Sequence, residues 1–254
     1  MKLLLTGAAG RIARALRPSL RERVELLRLA DITEVHAEDE REEALSFDLG
    51  EYERVLDAAR GMDAVVHLGA IPSEDAFERL LEANLRGTYN VFEAARLGGV
   101  RRVVFASSNH ATGFYRRRER ISPSVRPRPD SLYGVTKVFG EALGSLYADK
   151  FALEVVCLRI GSFAQAPPYG RSTLPMWLSP GDAFRLVWAA LTAPHVHFEI
   201  VYGVSDTGQS WWDNEAAARI GYVAEDAVDR EGVAEANALH ERQGDAFTDP
   251  ERHG

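Results

Sequence analysis

Short apolar runs alternate with longer amphipathic stretches along most of the chain. Residues 2–6 (KLLLT), 24–30, 64–68 (AVVHL), 102–106 (RVVFA), 153–159 and 197–202 are apolar runs of five to seven residues. Such runs read as strands buried on both faces. A further short strand ends at Phe47-Asp48-Leu49. Between them, helices are expected after Gly10 and over residues 51–60, 74–97, 130–151 and 182–191, with one more opening at Trp211–Asn214. The 74–97 helix carries Phe77, Leu80, Leu81, Leu85, Val91 and Phe92 on one side. Asn84 interrupts that side, and a buried amide needs partners, so it is expected to bridge the helix to the next strand. The connections are too long for hairpins, and strand–helix alternation predicts an α/β protein with a doubly wound parallel sheet. Residues 1–160 are expected to form the core. Residues 161–254 are expected to add a small C-terminal lobe packed on it, with Trp211 and Trp212 inside. The charged stretches 36–43 and 116–120 (RRRER) read as solvated loops, and the tail from residue 228 is polar and poorly patterned.

Composition narrows the function classes. At 254 residues with 46% hydrophobic content, the chain suits one large domain. Acidic residues outnumber basic ones, 38 to 30, for a formal charge of −8, which argues against nucleic acid as a partner. The one cysteine, Cys157, lies in an apolar run and suits a reducing compartment. With no secretory leader pattern and no membrane-length apolar run, a cytoplasmic protein is expected. His195 and His197 lack metal-ligand company, and no metal site is expected. His67, inside a strand, reads as a satisfied packing residue.

The chemistry begins at the first turn. Gly7, Gly10 and Ala13 form a G-x-x-G-x-x-A pattern between the first strand and a helix. Glycines there let the backbone turn tightly and approach a pyrophosphate, and the helix N-terminus offers free N–H groups. This is the signature position of a Rossmann fold. Asp31, 21 residues beyond Gly10, ends the second strand where an acid binds adenosine ribose hydroxyls. A carboxylate there favours NAD over NADP, although Arg28 in the same strand argues the other way. Asp48 is placed to face the adenine or to cap the helix over 51–60, and both readings stand. Gly69-Ala70 after the 64–68 strand lets the backbone pass against a cofactor. Ser107-Ser108-Asn109-His110 emerges from the carboxyl end of a strand, where ligands gather in open α/β sheets. Tyr133 and Lys137 stand four apart, one face of a helix for which Asp130 is a good N-cap candidate. Lowering a tyrosine pKa from about 10 to about 7 needs roughly 4 kcal/mol of phenolate stabilisation. Lys137 one turn away and an oxidised nicotinamide are the expected sources, with Ser108 orienting a substrate hydroxyl.

TGAAGRIA, Asp31, the strand-tip serine and YGVTK resemble the short-chain dehydrogenase/reductase superfamily in its extended, sugar-modifying branch. More narrowly, FASSNHATGFY, RPDSLYGVTKVFGE, RIGS, SWWDN and a weaker QGDAFTDP near the end resemble the bacterial uronate dehydrogenases. The resemblance implies NAD-dependent oxidation of the anomeric carbon of galacturonate or glucuronate to an aldaro-lactone. Tyr133 would be the base, with Lys137 and Ser108 beside it. It implies cofactor contacts at Arg11, Ile12, Asp31, Asp48, Leu49, Leu68, Gly69, Ala70, Lys137 and Ile160. It implies substrate contacts at Ser108, Asn109, His110, Ser162 and Arg171, and a homo-oligomer. Where the family usually has a substrate-binding serine this chain has Pro72, so either Ser73 beside it substitutes or that contact is lost. The competing expectation is a nucleotide-sugar epimerase or dehydratase, which uses the same Tyr/Lys pair. The roughly ninety residues after Arg159 are few for a lobe that holds a nucleotide diphosphate. A regulator that senses NAD without catalysis is a third reading, disfavoured because both Tyr133 and Lys137 are retained.

Overall fold

A computed structural model describes residues 1–209 and 211–250. Among the described residues nine strands run in chain order: β1 (Lys2–Thr6), β2 (Leu26–Asp31), β3 (Glu42–Ser46), β4 (Ala64–His67), β5 (Arg102–Ser108), β6 (Glu154–Ile160), β7 (Ser162–Phe163), β8 (Trp177–Leu178) and β9 (Phe198–Gly203). Seven of them form one parallel sheet in the order β3-β2-β1-β4-β5-β6-β9, and β7 and β8 pair separately. The winding direction reverses between β1 and β4, so a crevice opens there beyond the strands' carboxyl ends. The helices are α1 (Arg11–Arg21), α2 (Tyr52–Ala59), α3 (Phe77–Leu80), α4 (Gly87–Gly98), α5 (Leu132–Phe151), α6 (Pro180–Thr192), α7 (Glu215–Arg219) and α8 (Arg230–Asn237).

Strand side chains alternate between two apolar layers, as the two-residue period demands. Leu3 and Leu5 of β1 join Leu16 and Leu20 of α1 and Leu186 and Val187 of α6 on one face. Leu4 joins Val55 of α2, Phe92 of α4 and Tyr147 of α5 on the other, where Cys157 is also buried. Among the described residues after 160, α6, α7 and β9 pack in the sheet layers, and two smaller clusters lie beside them. One holds Trp211 and Trp212 with Ile121, Met176 and Tyr202. The other holds Leu174, Trp177, Val228 and Val233.

Several local expectations need correction. The 74–97 helix is broken: α3 starts at Phe77, residues Leu81–Arg86 widen into a π turn, and α4 follows. The wide turn carries Asn84 inward, where it pairs with the N–H and C=O of Ile71 and donates to Thr136 Oγ1. It thus links the loop after β4 to α5, not to the next strand. Phe77 and Leu97 are exposed. The third strand covers residues 42–46 and ends before Phe47. The 36–43 stretch is not all solvated, because the Glu42 carboxylate is buried against Arg17 with two bonds of 2.9 and 2.7 Å. In the RRRER stretch Arg117 is buried, donating to the carbonyls of Ser172, Ala236 and Arg242. Ser131, not Asp130, caps α5, accepting from the Gly134 amide. As far as residue 250 the tail is structured, with α8 and a 3-10 turn at Asp245–Thr248, and its last four residues lie outside the described ones. Its Gln243 is fully buried, bonded to Trp212 Nε1 and to the carbonyls of Arg116 and Glu119. Among the described residues no helix is long and apolar enough to cross a membrane.

Helix α5 is anchored by charge. Arg159 of β6 donates Nε and Nη2 to the two Glu141 oxygens at 2.8 Å each, and Ser107 of β5 donates to Glu141 at 2.6 Å. The two side chains are 1% and 5% exposed. Breaking a buried pair from one side strands the other charge. Glu141→Ala is expected to lower the unfolding free energy by about 3–5 kcal/mol, read from urea unfolding against the parent chain.

Candidate active site

The crevice between β1 and β4 is where the two chain directions come closest. Gly7 leaves β1 with φ +73°, and a Cβ there would lie 2.6 Å from the Gly69 amide. Only glycine serves at such a position. Gly10 caps α1 and no acid stands in the helix's first turn. The free amides and dipole of that turn are thus available to an anion. One part of the crevice, about 490 Å3, is lined by Gly7, Gly10, Asp31, Asp48, Leu49 and Gly69. It adjoins a second part of about 400 Å3, bordered by Arg11, Ile12, Ser108, His110, Tyr133 and Lys137. Leu68 and Ala70 border both parts, and Ile160 borders the second. Every expected cofactor residue therefore stands on this crevice.

The details suit an adenosine end without a 2′-phosphate. Asp31 accepts from the amides of Ala9 (2.9 Å) and Thr33 (2.8 Å), which fixes its carboxylate at the crevice edge. Arg28, the counter-argument, is occupied elsewhere: it pairs with Glu43 and with the carbonyls of Ala58 and Arg60. Asp48 does not cap α2, which Glu51 opens. It holds a turn by accepting from the Gly50 amide at 2.8 Å.

The second part of the crevice carries the reactive groups. Ser108 ends β5, and α5 presents Tyr133, Lys137 and Glu141 at successive four-residue steps, hence on one face. Glycines bring that face close: a side chain at Gly140 would collide with the Phe105 ring, and one at Gly144 would lie 2.9 Å from Val155. Lys137 Nζ sits 5.4 Å from the Tyr133 ring centre and 5.2 Å from that of Phe105. Burial pushes the Tyr133 hydroxyl up to about 12; a hydrogen bond with Ser108 opposes this and the charge of Asp130 adds to it. Burial also brings Lys137 down to about 8. In the free crevice desolvation thus keeps the tyrosine in its neutral form. His67 is a packing residue as expected. Burial, then the Lys137 charge, hold it down to about 3, and its ring nitrogens face Thr6 (2.8 Å) and Thr88 (3.2 Å).

The substrate residues implied by resemblance are less uniformly placed. His110 lines the crevice. Asn109 is buried, with its amide nitrogen 3.6 Å from Met176 sulfur and 3.5 Å from the Gln243 carbonyl. Ser162, in β7, and Arg171, exposed on the following loop, are not among the residues that line the crevice. Pro72 lines it whereas Ser73 is exposed and does not.

Two participants escaped the sequence reading. Glu74, from the loop after β4, accepts the amides of Leu132 (3.1 Å) and Tyr133 (3.0 Å), a side-chain cap for α5 from 58 residues away. Phe247 of the tail lays its ring 3.9 Å from the His110 ring centre and 6.5 Å from that of Tyr133. Only the QGDAFTDP echo signalled that the tail has a place in the family pattern.

A dinucleotide crevice at the switch point, with Ser, Tyr and Lys converging beside it, defines a nucleotide-dependent enzyme of the extended short-chain class. The chain belongs to the NAD dependent epimerase/dehydratase family, which residues 3–172 match. Its relatives include uronate dehydrogenases. It is 45% identical to that of Pseudomonas putida, over 89% of this chain and 84% of the other. It is 40% identical to that of Agrobacterium fabrum, over 98% and 97%. A mutant uronate dehydrogenase from Agrobacterium tumefaciens solved as a complex with NAD superposes with a TM-score of 0.91 at 39% identity, covering 100% of this chain and 99% of that one.

Glu74→Ala removes the remote cap. It is expected to cost about 1 kcal/mol of stability, seen as a lowered midpoint in thermal unfolding.

Proposed function

We propose that the protein oxidises the anomeric carbon of a hexuronic acid, galacturonate or glucuronate, with NAD as hydride acceptor, releasing an aldaro-lactone. The observation that carries this reading is the convergence of Ser108, Tyr133, Lys137 and His110 on the end of a crevice whose other end holds Asp31. The activity named for the Pseudomonas and Agrobacterium relatives supports it. NAD, when bound, would supply the hydride acceptor and the positive charge of its oxidised ring.

The protein's own groups do the rest. Gly7, Gly10 and the first-turn amides of α1 receive the pyrophosphate, and Asp31 receives the ribose hydroxyls. Lys137 holds the other ribose. Ser108 donates to and orients the sugar's anomeric hydroxyl. Tyr133 takes the proton from that hydroxyl as the hydride leaves the same carbon. Because burial holds Tyr133 neutral, its ionisation waits for the added positive charge at the crevice. Arg171 has no ion-pair or side-chain hydrogen-bond partner among the described residues. We assign it to the substrate carboxylate, which a guanidinium clamps with two parallel bonds. Asn109 and Ser162 are assigned to the sugar as well, and Ser73 to the place Pro72 leaves open. The single buried thiol fits a cytoplasmic setting. Exposed Leu132, Val135 and Leu146 on α5 fit association between copies of the chain.

The deciding assay is a panel of uronic acids with NAD or NADP, followed at the NADH absorbance band. One NADH per uronate consumed is expected, with NAD preferred. An epimerase would produce no net NADH, and that result with every uronate would overturn the proposal. Tyr133→Phe is expected to lower kcat by at least about 100-fold. At saturating NAD, kcat/KM should rise about tenfold per pH unit on its acid limb. It should level at an inflection below 12, the value the buried hydroxyl has in the free chain. Lys137→Met should move that inflection upward, since it removes a positive charge from beside the phenolate.

A further inference from the structure

His110 is held from three sides. Its Nδ1 lies 2.8 Å from Asp130 Oδ2. Its ring is covered by Phe247 and meets Tyr133 edge-on at 5.8 Å. Its Nε2 has no hydrogen-bond partner among the described residues, and the ring borders the crevice. Asp130 is more tightly held. Its side chain is wholly buried, and Oδ1 accepts from Ser131 Oγ at 2.8 Å. Ser131 Oγ in turn accepts the Gly134 amide at 3.0 Å, as the cap of α5. The carboxylate sits between Gly113 and Gly244, where a Cβ on either residue would strike it. Those two glycines are themselves joined, Gly244 N to Gly113 O at 2.8 Å. A carboxylate in so narrow a slot, tied to the start of the catalytic helix and closed by the C-terminal segment, is built to hold one orientation.

An ionised carboxylate only accepts hydrogen bonds. A neutral His110 facing it must therefore carry its proton on Nδ1 and leave a lone pair on Nε2. We propose that Asp130 is a positioning residue that fixes this tautomer, so that His110 presents an acceptor to a ring hydroxyl of the sugar acid. The proposal rests on the reading of the crevice as a hexuronate site and adds to it the recognition of one hydroxyl. The acceptor selects a donor group on the sugar and turns away a carboxylate, which has no proton to give. It thus helps to decide which way round the uronate lies. Asp130 is not there to assist ionisation, since its negative charge opposes that of Tyr133. A loss of activity on neutralising Asp130 must come through another group.

Asp130→Asn is nearly isosteric, and its amide can donate to Nδ1 and move the proton to Nε2, the wrong-tautomer failure of an orienting carboxylate replaced by its amide. The kinetic test is a double-mutant cycle with His110→Gln. In the parent background, Asp130→Asn is expected to raise KM for the uronate by about tenfold or more while KM for NAD stays unchanged. In the His110→Gln background the same change is expected to cost little. Equal losses in both backgrounds would mean that Asp130 merely supports the fold, and would overturn the proposal. The second readout needs no substrate: 15N shifts of the histidine ring at alkaline pH, with His110 assigned by difference against His110→Gln. Protonated Nδ1 and bare Nε2 in the parent chain, altered in Asp130→Asn, are expected. A proton on Nε2 in the parent chain would overturn the proposal even if uronate oxidation holds. Absence of uronate oxidation in the parent chain would sink the functional reading and leave the tautomer measurement standing on its own.

Discussion

The site depends on one buried ion pair. Arg159 and Glu141 meet where β6, β5 and α5 come together, and Ser107 adds a third bond to the same carboxylate. Ser107 is the residue before Ser108, and Glu141 lies on the same helix face as Tyr133 and Lys137. The pair therefore sets both the rotation of α5 about its axis and its position along β5, and those two quantities determine how the tyrosine stands to the strand-tip serine. An apolar contact would bury as much surface but would fix neither angle nor register so narrowly. The bidentate geometry does both, at the cost of desolvating two charges. Glycines at positions 140 and 144 let the helix come near enough for the bonds to form.

The same helix is held at its start by two unrelated devices. Ser131 caps it locally, and Glu74 reaches it from the loop after β4. Asn84 ties that loop and α5 together through Ile71 and Thr136. Because Gly69 and Ala70 open the same loop, the wall of the cofactor crevice and the catalytic helix are joined by side-chain bonds as well as through the sheet. The π turn around Asn84 follows from this, as a regular α turn would not carry the amide to both partners. Wide turns of this kind are often found at functional sites.

How much of this was legible in the chain depended on the range of the interaction. Strand runs and the glycine turn are local, and β1, β4, β5 and β6 stand within about two residues of their expected bounds. Gly7, Gly10, Asp31 and Gly69-Ala70 were also readable, because each stands at a strand end, whereas Arg11, Ile12, Leu49, Leu68 and Ile160 were named through the family pattern. Long-range pairings were not. Nothing in 36–43 marks Glu42 as the partner of Arg17, and nothing in RRRER separates buried Arg117 from its exposed neighbours. Glu74 looks like one more surface acid until the fold carries it to α5. The tail misled for the same reason: its polar residues satisfy distant backbone groups, as Gln243 does, and polarity within a sequence window reads as solvent. Arg171 and Ser162 were named through family pattern, and their spacing alone carries no sign of a site.

Burial presents the site with a conflict that its chemistry uses. The close approach of α5 to β5 dries the Tyr133 hydroxyl, and drying favours the neutral form over the phenolate. It also weakens the hold of Lys137 on its proton, but at about 8 the ammonium still predominates near neutral pH, so only the tyrosine starts in its unreactive charge state. A tyrosine already ionised in the free protein would offer a base to any hydroxyl that entered. On the proposed reading, the charge needed for ionisation comes with the cofactor, so the base is ready only when a hydride acceptor is in place. The low dielectric that opposes ionisation in the free crevice strengthens every charge interaction once that positive ring is added. On the proposed reading, the energetic cost of a dry site thus ties proton abstraction to a bound cofactor, with Ser108 orienting the hydroxyl.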